Sequence, residues 1–348
     1  MESKMELTPR SSSILEAVVH DHITTAEPVG SRTLAKKYKF GLSPATIRNI
    51  MADLEEMGYL SQPHTSAGRV PTDRAYRFYV DHLLESHHFP TEVKNPNVEA
   101  ILQSIHEFNE LMEETSALLS QLSRQAGVVL IPNLRKTVFK QIEFIHLTSS
   151  RVLVIFVAES GLVHQKTIEL DRPISQNLLA KISALVTEEM AGLTLQQIRK
   201  KLVKMMEEEK TQFDELLKQA VMLSQKAFED EEGEGDLYVR GTLNILNQPE
   251  FANVERMRAL FKAFEEKSIL IQILDKCLDE AENVKVTIGS ENQIEEMEDY
   301  SLVTSSYKCG NLSAGVLGII GPKRMDYSRI IPIVYYMARL ISNLLTNR

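Results

Sequence analysis

The chain has 348 residues, 43% of them hydrophobic and 25% charged, with 15 Gly, 12 Pro, no Trp and a net charge of −9. At about 100–200 residues per domain this length predicts two or three domains, and the composition excludes collagen, intrinsic disorder and a disulfide mini-protein. Cys277 and Cys309 have no CxxC spacing, which speaks against a disulfide framework or a thiolate zinc site and leaves one reduced core cysteine and one semi-exposed one.

A first helix is predicted over Ser11 to Thr24, where Ile14, Leu15, Val18 and Val19 share one face. A second, Ser31 to Tyr38, turns Leu34, Ala35 and Tyr38 inward and Arg32, Lys36 and Lys37 outward. Ser43 is a good N-cap and Pro44 a good first helical residue, so a third helix begins there, and Gly58 ends it. Ile47, Ile50, Met51, Leu54 and Met57 form its apolar stripe. The Pro-, Gly- and Ser-rich run from Tyr59 to Thr72 reads as a β-hairpin with a loose tip, and Thr72 caps a fourth helix that runs out near His87. Residues between His88 and Pro96 form the linker.

From Ile101 to Ala126 the apolar residues repeat at the coiled-coil period, but Leu102, Leu111 and Leu118 widen the stripe. The width favours a helix covering a sheet over a dimer seam. Three antiparallel strands follow between Val138 and Leu170, then helices around Leu178 to Met190, around the capping box Thr194 to Gln197, and around Phe213 to Phe228. Glu229 to Asp236 holds six carboxylates and no apolar side chain, which suits a solvated loop better than a metal cage. A helix over Asn253 to Glu282, strands at Val284 to Gly289, Ser301 to Lys308 and Gly315 to Ile320, and a helix over Tyr327 to Leu345 complete the chain. Two groups of strands separated by about a hundred helical residues suggest one α/β domain with a helical insertion.

Charge is unevenly spread along these elements. Between Gly30 and Val80, Arg32, Lys36, Lys37, Lys39, Arg48, Arg69, Arg74 and Arg77 outnumber Asp53, Glu55, Glu56 and Asp73, giving +4 and leaving −13 for the rest. A small basic unit on a larger acidic body is the asymmetry expected when one part touches a polyanion and the remainder holds it, senses something or pairs with itself.

Three helices and a hairpin have the layout of a winged helix-turn-helix. The third helix places Ser43, Thr46, Arg48 and Asn49 on or near its first turn. Arg suits the paired acceptors of guanine, Asn the donor and acceptor of adenine, and Thr either base or the thymine methyl, so Thr46, Arg48 and Asn49 are the candidate base readers. Free N–H groups of that turn, capped by Ser43, favour a phosphate. Arg32, Lys36 and Lys37 are candidate backbone contacts, as are His64, Thr65, Ser66 and Arg69 of the hairpin beside Gly68. One such unit reads few base pairs, so specificity calls for two copies on paired half-sites.

The run Pro63-His64-Thr65-Ser66-Ala67-Gly68-Arg69-Val70-Pro71-Thr72-Asp73, with Tyr76-Arg77-Phe78-Tyr79-Val80-Asp81, resembles the wing and following helix of the heat-inducible transcription repressor family HrcA. Ser43-Pro44-Ala45-Thr46-Ile47-Arg48-Asn49 resembles its recognition helix, and Gly318-Ile319-Ile320-Gly321-Pro322-Lys323-Arg324-Met325-Asp326-Tyr327 its C-terminal motif. Ala75 stands where a small residue, often Gly, is expected, and about 170–280 carries no matching motif. The resemblance implies an α+β protein: an N-terminal winged helix-turn-helix followed by a GAF-like α/β domain with a largely helical inserted dimerisation domain. It implies a homodimer on double-stranded DNA, repressing chaperone genes from an inverted-repeat operator and kept competent by the chaperonin until heat-unfolded proteins occupy it. A cytoplasmic location is expected separately, from the lack of a bilayer-length apolar stretch and of a secretory apolar run.

The expected limits are 1–88 for the winged helix, 89–97 for the linker, 98–170 with 282–348 for the GAF-like domain and 171–281 for the insert. The resemblance leaves open whether the strands of 137–170 belong to the GAF-like sheet or to the insert, and the sheet is the favoured reading. No membrane contact is expected: Val152 to Ala158 and Ala314 to Pro322 fall far short of the ~20 apolar residues of a bilayer helix, and Met1 to Arg10 holds no secretory apolar run.

No Gly-rich phosphate loop, HExxH or GxSxG occurs, and His20 and His22 do not share a helix face, so no enzyme, cofactor or metal is expected. The alternative is a metabolite-responsive winged-helix regulator with a ligand-binding GAF-like domain, which a saturable small ligand altering operator affinity would reveal.

Overall fold

In the computed structural model the described residues are 7–64, 67–85, 95–105, 107–131, 138–148, 150–159, 163–170, 173–194, 237–246, 267–277, 284–309 and 312–346, with isolated positions between 197 and 264. The acidic run 229–236, most of the linker and of the predicted helix 253–282, and Phe213 to Phe228 apart from a few positions lie outside them.

The N-terminal unit follows its local signals closely. Helix α1 (Pro9–Thr25) starts two residues before the expected Ser11, because Thr8 accepts a bond from Ser11 N and Pro9 occupies the first turn. It is followed by α2 (Ser31–Lys37) and α3 (Pro44–Glu56), then β1 (Leu60–Ser61), β2 (Val70–Pro71) and α4 (Asp73–Glu85). Strands β1 and β2 pair antiparallel, and Val29 joins them by a bridge to Arg69. Thr72 stands at the cap position before α4, its carbonyl accepting from Ala75 N (3.0 Å) and Tyr76 N (3.1 Å), while its hydroxyl donates to the carbonyls of Gly58 (2.8 Å) and Tyr59 (3.0 Å), tying the hairpin to the end of α3.

The long predicted helix after the linker is two helices, α5 (Pro96–Ser104) and α6 (Phe108–Ser123). Ile105 between them is extended, and Ser104 Oγ donates to Ile101 O at 2.7 Å in the last turn of α5. Helix α6 lies across a sheet, as the width of its stripe implied.

That sheet is five-stranded, in the order β7 (Leu237–Arg240), β3 (Ala126–Leu130), β10 (Leu312–Pro322), β9 (Tyr300–Cys309), β8 (Lys285–Ile288), every pair antiparallel. Alternation along the strands splits the core in two. Val129, Val303, Tyr307, Leu317 and Ile319 face α6 and α10 (Tyr327–Thr346), in a cluster continuous with the core of the N-terminal unit. Val128, Leu130, Leu302, Val316 and Ile320 join residues of α8 (Thr242–Leu246) and α9 (Lys267–Asp275) on the other face. Cys277 is buried and Cys309 half-buried, as expected.

Strands β4 (Phe139–Thr148), β5 (Arg151–Ala158) and β6 (Val163–Glu169) form the expected meander, but as a separate three-stranded sheet. The favoured placement of 137–170 in one sheet with 282–348 is therefore corrected. The physical reason lies in α7 (Gln176–Met190), whose Gln176, Ser183 and Thr187 side chains accept hydrogen bonds from the backbone N–H groups of His146, Phe144 and Ile142 at the outer edge of β4. An edge whose donors are satisfied in this way has no ladder to offer another sheet. Its own core joins Phe139, Ile142, Phe144, Val154 and Phe156 to Leu179, Ile182 and Val186. Conversely β7, which falls in the stretch read as a helical insertion, completes the five-stranded sheet. The capping box at Thr194 and Gln197 is present, with Thr194 N donating to Gln197 Oε1 at 2.8 Å. Among the described residues no helix is long and apolar enough to cross a membrane.

Candidate nucleic-acid interface

Helix α3 divides its residues sharply between core and surface. Ile47, Met51 and Leu54 are buried against α1 and α2, while Ser43, Thr46, Arg48 and Asn49 are exposed. Ser43 Oγ accepts from Thr46 N at 3.1 Å and lies 2.9 Å from Thr46 Oγ1, so both hydroxyls are gathered at the helix start. Arg48 and Asn49 make no hydrogen bond or ion pair among the described residues, and their donors and acceptors are open to a ligand. The first turn also carries unpaired backbone N–H groups and the positive end of the helix dipole, which together favour an anion.

The other sequence-predicted cations divide into open and engaged. Arg32 and Lys36 of α2 are exposed, beside α3. Lys37 donates instead to Asp21 of α1, a carboxylate with only 3% of its surface exposed. This hydrogen bond raises the pKa of the Lys37 ammonium. Arg69 pairs with Glu55 near the end of α3 at 2.8 Å, while its backbone exchanges two hydrogen bonds with Val29. Lys37 and Arg69 thus serve first to hold the unit together.

His64 is exposed at the hairpin, whereas Thr65 and Ser66 lie outside the described residues. Gly68, beside the hairpin contacts, sits in a tight place: a Cβ there would lie 2.4 Å from Val29 O. His22, weighed as a metal ligand, places Nδ1 2.7 Å from Tyr76 Oη.

Arg74 was missed by the sequence reasoning. Its Nη1 donates to Met57 O at 2.8 Å, and its guanidinium lies over the Tyr59 ring at 4.5 Å, closing the C-terminus of α3. A basic residue at a helix C-terminus is a recognised signal, but here it arrives from 17 positions away in the chain, where no local pattern could point to it.

Residues 109–331 match the family described as HrcA protein C terminal domain. The chain is 44% identical over 340 residues to a heat-inducible transcription repressor HrcA of Syntrophobacter fumaroxidans, covering 98% of each. It is 45% identical over 340 residues to the repressor of that name from Geobacter sulfurreducens, again covering 98% of each. A crystal structure of a hypothetical protein, 21% identical, superposes over 98% of this chain and 99% of its own with a TM-score of 0.63, a likeness of fold.

Proposed function

Because the chain belongs to the HrcA family of heat-inducible transcription repressors, we propose that its N-terminal unit is a winged helix-turn-helix that binds an inverted-repeat operator as a homodimer. Thr46, Arg48 and Asn49 read bases, Ser43 and the free N–H groups of its turn meet a phosphate, and Arg32 and Lys36 neutralise neighbouring phosphates. His64, Thr65 and Ser66 form the wing contact. Lys37 and Arg69 keep α2 and the hairpin in place through Asp21 and Glu55, and their charge adds to the local positive potential. One observation carries this reading: the first two turns of α3 expose three side chains, Thr46, Arg48 and Asn49, with base-reading chemistry and no side-chain partner beyond the Ser43 cap, on a helix whose Ile47, Met51 and Leu54 are committed to the core.

The five-stranded unit is the GAF-like domain, and the three-stranded unit with α7 is the heart of the inserted dimerisation domain. Its limits are then redrawn to include β4 to β6 and to exclude β7, which the strand pairing supports. The chaperonin sets activity by keeping the repressor folded. The test is a mobility shift of the full chain on inverted-repeat duplexes from chaperone promoters, with and without added chaperonin. A specific shifted complex, strengthened by chaperonin, is expected; equal affinity for these duplexes and shuffled ones would overturn the proposal.

A further inference from the structure

Two motifs far apart in the chain, one after the hairpin and one before the last helix, meet in space. Arg77 of α4 donates Nε to Glu291 Oε1 at 2.8 Å, Nη2 to Glu291 Oε2 and to Val286 O at 2.6 Å, and Nη1 to Asp81 at 3.3 Å. Glu291 is itself oriented by Ile288 N at 2.9 Å. One turn earlier, Asp73 takes Lys323 Nζ at 2.7 Å and both Ser290 N and Ser290 Oγ, at 3.2 and 3.3 Å. The approach is close enough to require glycine beside it: Gly289 has φ +54°, and a Cβ there would lie 2.3 Å from Asp73 Oδ2.

Between the two charged prongs, the rings of Tyr76 and Tyr327 pack at 6.2 Å, and Tyr327 donates to Lys323 O at 2.7 Å. A third contact runs from Arg324 Nη1 to Ile23 O, at the end of α1, at 3.2 Å. None of these residues belongs to α3 or to the hairpin tip, and the base-reading chemistry does not use them. What they do is join the N-terminal unit to the five-stranded unit at several well-separated points, with a bidentate guanidinium that fixes direction as well as distance.

We propose that this clamp gauges operator spacing: by fixing each DNA-binding unit on the body, it sets the separation of the two recognition helices in the dimer and so selects the spacer between half-sites, not their bases. Arg77 and Lys323 are positioning residues in this scheme. The inference rests on the proposed dimeric binding of an inverted repeat. Two rigidly held helices match one half-site separation and its helical phase, whereas units hanging on a chain segment accept many.

The full-length protein is first used to select a duplex from a random-sequence pool. The half-sites recovered are then re-spaced in steps of one base pair over a full helical turn. The wild type is expected to lose about tenfold or more in affinity when the half-sites are moved half a turn out of phase, and Arg77→Ala and Lys323→Ala to flatten that profile to within about threefold, as tethered rather than fixed units do. Affinity for a duplex with one half-site should stay within about twofold in the variants, as additivity of separate sites requires. Variants that keep the wild-type spacer profile, or that lose half-site affinity with the profile unchanged, overturn the inference. If Arg77→Ala does not fold, the double variant Lys323→Ala with Arg324→Ala, which removes the contacts to Asp73 and to Ile23 O together, decides. Failure of the wild type to select any duplex would instead overturn the proposed function, and the spacing inference with it.

Discussion

Ile47 and Arg48 are chain neighbours on opposite faces of α3, and substituting each by alanine separates folding from DNA reading. Arg48 is exposed and makes no hydrogen bond or ion pair among the described residues, so its removal takes nothing from the fold. Such surface changes move stability by less than about 0.5 kcal/mol. A bidentate contact to guanine discriminates by about 1–3 kcal/mol. At about 1.4 kcal/mol per decade, Arg48→Ala should then lose roughly 5- to 150-fold in affinity for the selected duplex.

Random duplex should lose far less, because the phosphate contacts that dominate non-specific binding are intact. Ile47 is fully buried, and Ile47→Ala should cost about 2–5 kcal/mol of stability. Anisotropy titrations on selected and shuffled duplexes, with thermal melting of both variants, read these effects separately. Equal loss on both duplexes for Arg48→Ala, or a melting shift as large as that of Ile47→Ala, would refute the assignment of Arg48 as a base reader.

Lys36→Ala should weaken all duplexes alike and reduce the slope of log affinity against log salt by about 0.9, the counterion-release value for one phosphate contact; an unchanged slope counts against its role. Lys37→Met should instead act on stability, since Asp21 is left as a nearly buried carboxylate without its cation. The hydrogen bond to Asp21 raises the Lys37 pKa, so the stability it supplies is fully present below the ordinary lysine range and is lost as pH rises through the raised value. Melting curves across alkaline pH should therefore converge for wild type and Lys37→Met; a constant gap would contradict the pairing. Gly68→Ala should push the hairpin away from Val29 at a cost of about 1–3 kcal/mol, as overpacking does, with amide exchange at Val29 and Arg69 speeding up; unchanged exchange would show that the close approach relaxes freely.

Local chemistry was enough to place α3, because Ser43, Pro44 and the spacing of Ile47, Met51 and Leu54 act within a few residues of one another. The same holds for α1, for the hairpin and for the exposed polar face of α3, where a polar side chain outside the apolar stripe has only one place to go. The break at Ile105 was not legible, since the apolar period continues across it. Arg74 and the clamp around Arg77 and Asp73 were not legible either: Glu291 and Ser290 lie more than two hundred positions from their partners in the chain.

The amino-acid sequence by itself determined the helices and hairpin of the N-terminal unit, the basic head and the acidic remainder, through caps, periodicity and charge that operate at short range. Tertiary structure alone decided that the meander stands apart, that β7 crosses into the five-stranded sheet, and that Lys37 and Arg69 face carboxylates. The reason is that backbone ladders carry no side-chain address. A strand's partner is chosen by which edges are left open once the helices have packed, and a cation's partner by which carboxylate the packed elements bring within reach.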